Sequence, residues 1–283
     1  MGLRKDLWYS HVTNFAPRWG LQDAHCLTVS LSHTSYLPLK IHLMTTSFPL
    51  RDKSAFITGG SKGIGLGIAR AMAAEHMKVA ISSRHLKEAQ SVADQLRALG
   101  ATDVLALEAD VREYHALEQA VQAITGTFGS LDVVIANAGV GHFSPIDTMP
   151  HEQWHEIIDI NLTGVFYTLQ STVEALKKSR GYFITMASLA GTNFFASGAA
   201  YNASKFGLVG FTQATMLDLR KYGVKVSTIM PGSVATYFND HIPSESDAWK
   251  IQPEDIGQLV IDVLKLNPRT LPSKIEVRPS NPL

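Results

Sequence analysis

From Lys53 onward the chain alternates short apolar runs with longer amphipathic runs. The short runs predict strands at 54–58, 78–83, 103–108, 131–136, 181–186, 224–230 and 274–278. The longer runs predict helices near 64–75, 86–99, 112–126, 152–178, 199–221 and 254–264. The second of these carries one apolar stripe at the helical spacing, formed by Leu86, Ala89, Val92, Ala93, Leu96 and Leu99.

Strands that alternate with helices favour a parallel sheet covered on both faces, because each crossover is right-handed. The central strands are almost continuously apolar, as a sheet buried on both faces requires. We therefore predict one α/β domain over residues 51–283, a doubly wound Rossmann-type fold with a parallel sheet of about seven strands. Ligands of such sheets bind beyond the carboxyl ends of the strands.

Residues 1–50 do not show this alternation, and neither the helical nor the strand period persists there. No apolar run with a small-residue cleavage site follows Arg4 and Lys5, which argues against a secretory signal. An organelle transit peptide is a weaker alternative because arginine is sparse. Since Met44 opens a short polar lead into the first strand, we expect residues 1–50 to be an extension, unstructured or upstream of the functional start.

Composition and charge narrow the class of protein. Apolar residues make up 45% and charged residues 18% of the 283, which is typical of a globular domain with a sizeable core. The formal net charge is zero, so nothing indicates a nucleic-acid or anionic-membrane partner. No apolar run reaches the roughly 18 residues of a spanning helix. The single cysteine, Cys26, suits a reducing compartment, and we expect a cytoplasmic protein without a metal site.

A glycine-rich turn, TGGSKGIG at 58–65, follows the first strand and opens the first helix. Glycines let a backbone come close to a pyrophosphate, and a helix N-terminus offers free N–H groups and the positive end of its dipole. The alternative is a turn without a ligand, which the strand–turn–helix context disfavours. The predicted contacts to a dinucleotide are Gly59, Ser61, Lys62, Gly63, Ile64 and Gly65.

The end of the second strand indicates which dinucleotide binds. NAD sites use a carboxylate there to accept from the ribose 2′-hydroxyl, and this strand ends in serines followed by Arg84. Arg84 can pair with a 2′-phosphate, Ser83 can donate to it, and Lys62 adds a second cation. The two cations could instead be solvated surface charges. The missing acid together with both cations favours NADP over NAD.

Two other strand ends supply candidate cofactor contacts. Asp110 follows the third strand, where its carboxylate would accept from the adenine amino group while Val111 flanks the ring. The alternative for Asp110 is a helix N-cap, and both roles are compatible. Asn137, Ala138 and Gly139 end the fourth strand beside the expected switch point, although this tripeptide alone is a weak signal.

Tyr201 and Lys205 stand one helical turn apart in the sequence YNASK. Chance supplies such a spacing often, so other residues must decide its meaning. A free phenol has a pKa near 10, and a neighbouring ammonium would lower that pKa toward a value useful for proton transfer at neutral pH. The structural alternatives are a core tyrosine and a solvated lysine.

The ordered set of motifs resembles the classical short-chain dehydrogenase/reductase family over residues 53 to about 240. Besides the glycine turn and the NAG tripeptide, the resemblance includes Asn161 in a helix and Ser188 after the fifth strand, ahead of the tyrosine–lysine pair. It also includes Pro231 and Gly232 followed by Thr236. The first fifty residues lie outside it.

The resemblance implies hydride transfer between NADP(H) and a carbonyl or secondary alcohol, with Tyr201 as the general acid/base. Lys205 would also hold the nicotinamide ribose, and Ser188 would bind the substrate oxygen. Asn161 would anchor a water that relays the proton. The nicotinamide amide would contact Pro231, Gly232, Val234 and Thr236. Each residue alone has an ordinary structural alternative, which the complete set argues against.

The remaining expectations concern substrate, assembly and a competing function. Aromatic residues in three loops either pack those loops or wall a site for a small ketone or alcohol: Phe143, Phe194, Phe195, Tyr237, Phe238 and Trp249. The resemblance implies a homodimer or homotetramer, paired through the helices at 152–178 and 199–221. A non-catalytic dinucleotide sensor on the same fold is the alternative function, and it has no need of the catalytic set.

Overall fold

The computed structural model describes residues 49–281. Its strands are β1 Ser54–Thr58, β2 Lys78–Ser83, β3 Asp103–Glu108, β4 Val133–Ala136, β5 Tyr182–Met186, β6 Lys225–Pro231 and β7 Lys274–Val277. Its α-helices are α1 Gly63–Ala74, α2 Leu86–Ala98, α3 Tyr114–Phe128, α4 His151–Ile158, α5 Gly164–Ser179, α6 Ala199–Leu219 and α7 Pro253–Lys265. Of the predicted extension at 1–50, only residues 49 and 50 lie within this range. Met44, near which we expect the functional chain to start, lies outside it.

The seven strands form one parallel sheet in the order β3-β2-β1-β4-β5-β6-β7. This confirms the predicted doubly wound fold. The order reverses between β1 and β4, where Ala55 pairs with Val133. The turn after β1 and the segment after β4 therefore leave the sheet side by side, at the crevice where such folds bind ligands.

Two apolar cores cover the faces of the sheet because neighbouring side chains of a strand point to opposite sides. On one face Ile57 packs with residues of α1, α2 and α7. On the other face Phe56 and Phe183 pack with residues of α3, α5 and α6. Both phenylalanines are fully buried. This double cover holds the strand ends in a fixed arrangement.

The predicted helix at 152–178 is interrupted. A π-helical turn, Asp159–Thr163, joins α4 to α5, and Asn161 lies in its middle with a fully buried side chain. A π-helical turn adds one residue to the helical repeat, and such turns are frequent at functional sites. The sequence prediction of one continuous helix misses this turn, because the stretches on both sides of it are helical.

The helix predicted at 112–126 begins and ends two residues later, as α3. Glu113 N–H donates to the carbonyl of Asp110, so the chain makes a turn before the helix starts. Gly129, with φ of 82°, ends α3 in the left-handed conformation that glycine tolerates. Within residues 49–281, no helix is long and apolar enough to cross a membrane.

Candidate active site

Asn137 joins the ends of β1 and β4 at the switch point. Its Nδ2 donates to the carbonyls of Thr58 and Gly59 at 3.0 and 3.1 Å. The backbone N–H groups of Asn137 and Ala138 donate to the Thr58 hydroxyl at 3.1 and 3.2 Å. The predicted NAG segment and glycine turn are thus brought together. Sequence analysis did not single out the Thr58 hydroxyl.

The backbone of the turn after β1 requires glycine at several positions. Gly59 and Gly63 have φ of 63° and 55°, which favours glycine at both positions. A Cβ on Gly65 would lie 2.3 Å from the Gly59 carbonyl oxygen. Lys62, the N-cap residue of α1, makes no side-chain capping bond, and the first turn of α1 contains no acidic residue. These features fit a bound dinucleotide phosphate.

The end of β2 differs from the expectation in one respect. Ser83 is buried and Arg84 and Lys62 are exposed, as candidate 2′-phosphate contacts require. However, the Ser83 hydroxyl donates to a carboxylate oxygen of Glu88 at 2.6 Å. The end of β2 itself carries no acid, as the sequence shows, but α2 brings the Glu88 carboxylate to it. Glu88 lies in the first turn of α2. Its contact with the end of β2 depends on how α2 packs there, which the sequence alone does not show.

Asp110 and Val111 both have partners within the protein. The Arg112 guanidinium holds the Asp110 carboxylate, with Nη2–Oδ2 at 2.5 Å, and this hydrogen bond lowers the pKa of Asp110. The N-cap of α3 is Glu113, so the N-cap alternative for Asp110 is wrong. Val111 is buried and packs against Gly164. A Cβ on Gly164 would lie 2.7 Å from Val111 Cγ2.

Helix α6 brings Tyr201 and Lys205 to the end of β5. Lys205 Nζ donates to the Met186 carbonyl at 3.0 Å and lies 5.6 Å from the centre of the Tyr201 ring. Ser188, two residues beyond β5, accepts from Ala190 N–H at 3.1 Å, and its hydroxyl acts to lower the pKa of the neighbouring Tyr201 phenol. Three of the four predicted catalytic residues therefore meet at one point.

Asn161 completes this cluster from the opposite side. A Cβ on Gly139 would lie 3.2 Å from Asn161 Oδ1 and 3.8 Å from Lys205 Nζ. Asn161 Nδ2 donates to the Val140 carbonyl at 2.9 Å and to the Ser204 hydroxyl at 3.2 Å. Its Oδ1 accepts from Val140 N–H at 2.9 Å. The side chain is thus used for positioning, and Ser204 is a partner that sequence analysis missed.

Burial controls the proton affinities of the tyrosine–lysine pair. It raises the pKa of Tyr201 to about 12, against the opposing effect of the Ser188 hydrogen bond. It lowers the pKa of Lys205 to about 8. The prediction that Lys205 would lower the pKa of Tyr201 is therefore wrong. The lysine is itself desolvated, so it does not overcome the burial of the phenol.

The loop after β6 approaches the glycine turn. Gly232 N–H donates to the Val277 carbonyl at 2.8 Å, and Val234 forms a parallel bridge with Ile251. A Cβ on Gly63 would lie 3.4 Å from Thr236 Cγ2. The predicted nicotinamide segment and the predicted phosphate turn consequently face each other across the crevice.

A model of the short chain dehydrogenase family matches residues 53–247, more than half of the chain. The chain belongs to this family. An uncharacterized oxidoreductase of Staphylococcus aureus is 34% identical to this chain over 231 residues, covering 81% of the chain and 98% of the relative. The family and the oxidoreductase class were both expected from the motifs, and both are confirmed.

Two solved structures are similar to this chain over most of its length. An alcohol dehydrogenase of the archaeon Thermococcus sibiricus, complexed with 5-hydroxy-NADP, has a TM-score of 0.77 and 29% identity, covering 81% of this chain and 97% of that one. A short chain dehydrogenase of Burkholderia cenocepacia in complex with NADP has a TM-score of 0.74 and 28% identity, covering 81% and 98%.

Aromatic rings surround Tyr201. The rings of Phe143 and Phe238 each have centroids 5.6 Å from that of Tyr201, and Phe195 lies edge-to-face on Phe143 at 5.4 Å. Phe238 reaches this position because residue 141 is glycine, where a Cβ would lie 2.1 Å from the ring. Three of the six predicted aromatic residues thus line the approach to the phenol.

The other three aromatic residues do not join this wall. Phe194 and Tyr237 are largely exposed, while Trp249 lies 5.9 Å beneath the ammonium of Lys250. Lys250 also pairs at 2.6 Å with Asp247, whose other carboxylate oxygen is 2.7 Å from His241 Nε2. These bonds lower the pKa of Asp247 and secure the loop that carries Phe238.

Proposed function

We propose that this protein is an NADP-dependent oxidoreductase that interconverts a carbonyl group and a secondary alcohol. The convergence of Tyr201, Lys205 and Ser188 beside the glycine-turn crevice carries the proposal. These side chains can bind, polarise and protonate an oxygen atom at one position. The NADP complexes of the Thermococcus and Burkholderia structures support the choice of cofactor.

The proposed cofactor site follows the strand ends. The glycine turn would hold the pyrophosphate, and Lys62, Ser83 and Arg84 would contact the 2′-phosphate. Lys205 would hold the nicotinamide ribose hydroxyls, and residues 231–236 would bind the amide. When bound, the dinucleotide supplies the hydride, and in its oxidised form it also supplies a positive charge.

In reduction, the Tyr201 hydroxyl donates its proton to the oxygen atom that gains negative charge. The high pKa given by burial keeps this phenol protonated. The Ser188 hydroxyl donates a hydrogen bond to the same oxygen. In oxidation, Tyr201 accepts the alcohol proton, which requires its pKa to fall when positive charge lies nearby. Asn161 positions Val140 and Ser204 beneath this centre.

A panel of ketones and aldehydes with NADPH tests the proposal, followed by the loss of NADPH absorbance. We expect turnover of uncharged apolar ketones, because aromatic rings line the approach to Tyr201. Tight NADPH binding without turnover of any carbonyl or alcohol would favour the dinucleotide sensor instead.

Replacement of Arg84 by Ala should weaken NADPH about tenfold or more while changing NADH by less than about threefold. The guanidinium would pair with the 2′-phosphate, which NADH lacks. Dissociation constants from fluorescence titration would measure both effects. Arg97→Ala is the matched control, since Arg97 is also exposed but lies near the C-terminal end of α2, where it pairs with Asp94. Equal weakening of both dinucleotides by Arg84→Ala would contradict the preference for NADP.

We also expect a homodimer or homotetramer. Phe166 on α5 and Phe206 and Leu217 on α6 are exposed apolar side chains that pairing of these helices would cover. Light scattering at micromolar concentration measures the assembly, and a monomer there would contradict it.

The localisation is a separate expectation. Because the sequence has a single cysteine, we expect the enzyme in the cytoplasm.

A further inference from the structure

The Glu88 carboxylate lies in the pocket that the proposed function assigns to the ribose 2′ group. Its Oε2 accepts from the Ser83 hydroxyl at 2.6 Å and from the Ser61 hydroxyl at 3.5 Å. Both serines are candidate contacts of the dinucleotide, one at the end of β2 and one in the glycine turn. The carboxylate therefore bridges the two segments between which a 2′ group would be held.

The cations of this pocket attract the same carboxylate. The Ser83 hydrogen bond lowers the pKa of Glu88, and Lys62, His85 and Arg84 lower it further, so the group is anionic at neutral pH. Glu88 thereby offsets part of the positive charge that a 2′-phosphate would meet.

A 2′-phosphate and the Glu88 carboxylate compete for one hydrogen-bond donor. The Ser83 hydroxyl has a single O–H and can donate to only one acceptor at a time. A phosphate entering this pocket must take that donor from Glu88 and must lie close to a second negative charge. A 2′-hydroxyl meets the opposite situation, because it can donate to the carboxylate.

We propose that Glu88 is a specificity-determining residue that weakens the preference of this enzyme for NADP over NAD. The inference rests on the proposed function, since it concerns the same dinucleotide site. Lys62 and Arg84 favour the phosphate and Glu88 opposes it, so the cofactor preference of the chain is a balance between neighbouring residues of opposite charge.

Replacement of Glu88 by Gln tests this proposal. The amide keeps the length of the side chain and can still accept from Ser83, but the charge is gone. Fluorescence titration without substrate would give the dissociation constants of NADPH and NADH. We expect NADPH to bind about tenfold tighter, and NADH to bind equally or more weakly.

Asp94→Asn is the matched control, because it removes the same charge from the same helix. The Asp94 side chain is 92% exposed and pairs with Arg97 at 2.8 Å, away from Ser83. Its NADPH-to-NADH ratio should equal that of the wild type. A second test places Glu88→Gln in a Ser83→Ala background, where the gain in NADPH affinity should shrink because the phosphate and residue 88 no longer compete for the Ser83 hydroxyl.

The outcomes separate the two proposals. An unchanged ratio in Glu88→Gln, weaker NADPH binding, or an equal change in Asp94→Asn would overturn the role of Glu88. Thermal unfolding without ligand would detect a merely structural role, which alters stability and leaves the ratio unchanged. If the wild-type protein binds neither NADPH nor NADH, the proposed function itself fails.

Discussion

A Tyr201→Phe variant should lose turnover by at least about a thousandfold while binding NADPH almost as tightly as the wild type. The substitution removes the only atom proposed to transfer a proton and keeps the ring. The contacts of that ring with Phe143 and Phe238 are retained, so the surrounding wall should stay in place. The loss should therefore appear in kcat and not in the affinity for the dinucleotide.

Single-turnover kinetics and fluorescence titration would measure these two quantities separately. Tyr182→Phe is the matched control, since Tyr182 is also buried and its hydroxyl bonds to Ser227 at 2.7 Å, outside the proposed catalytic cluster. That variant should lose some stability and keep its turnover. Undiminished activity in Tyr201→Phe would refute the assignment of the general acid/base.

A Gly65→Ala variant should lose affinity for NADPH by about a hundredfold or more. The new Cβ would lie 2.3 Å from the Gly59 carbonyl oxygen and 2.5 Å from Asn137 Nδ2, far inside van der Waals contact. The glycine turn would have to move away from the end of β4. Because backbone N–H groups at this turn would hold the pyrophosphate, their displacement removes several hydrogen bonds together.

Gly126→Ala in α3 is the control for this prediction, because a Cβ there meets nothing within 4 Å. It should bind NADPH normally and be more stable by up to about 1 kcal/mol, since alanine loses less backbone entropy on folding. Fluorescence titration measures affinity, and thermal unfolding shows that Gly65→Ala remains folded. Wild-type affinity in a folded Gly65→Ala protein would contradict the phosphate role of the turn.

Sequence patterns predicted the strands closely because apolar runs and glycine turns are local signals. The strands at 54–58, 78–83 and 103–108 have the predicted bounds. The helix at 152–178 was predicted as continuous, and the π turn within it was missed because helix lies on both sides of that turn. The presence of Glu88 in the 2′ pocket was missed, because it depends on how α2 returns over the end of β2.

The sequence by itself determined the fold class, the family and the candidate residues, because these depend on residue types and on their order along the chain. Only the tertiary structure decided how those residues meet. It brought Ser188, Tyr201 and Lys205 together, and it engaged the Asn161 side chain with Val140.

Burial likewise belongs to the tertiary structure, and it reversed one electrostatic expectation. The spacing of YNASK predicted a lowered pKa for Tyr201, whereas desolvation raises it. Spacing along a helix gives the distance between two charges, but the free energy of each charge depends on the solvent that packing removes. That quantity is set by residues distant in the sequence, so no local motif can supply it.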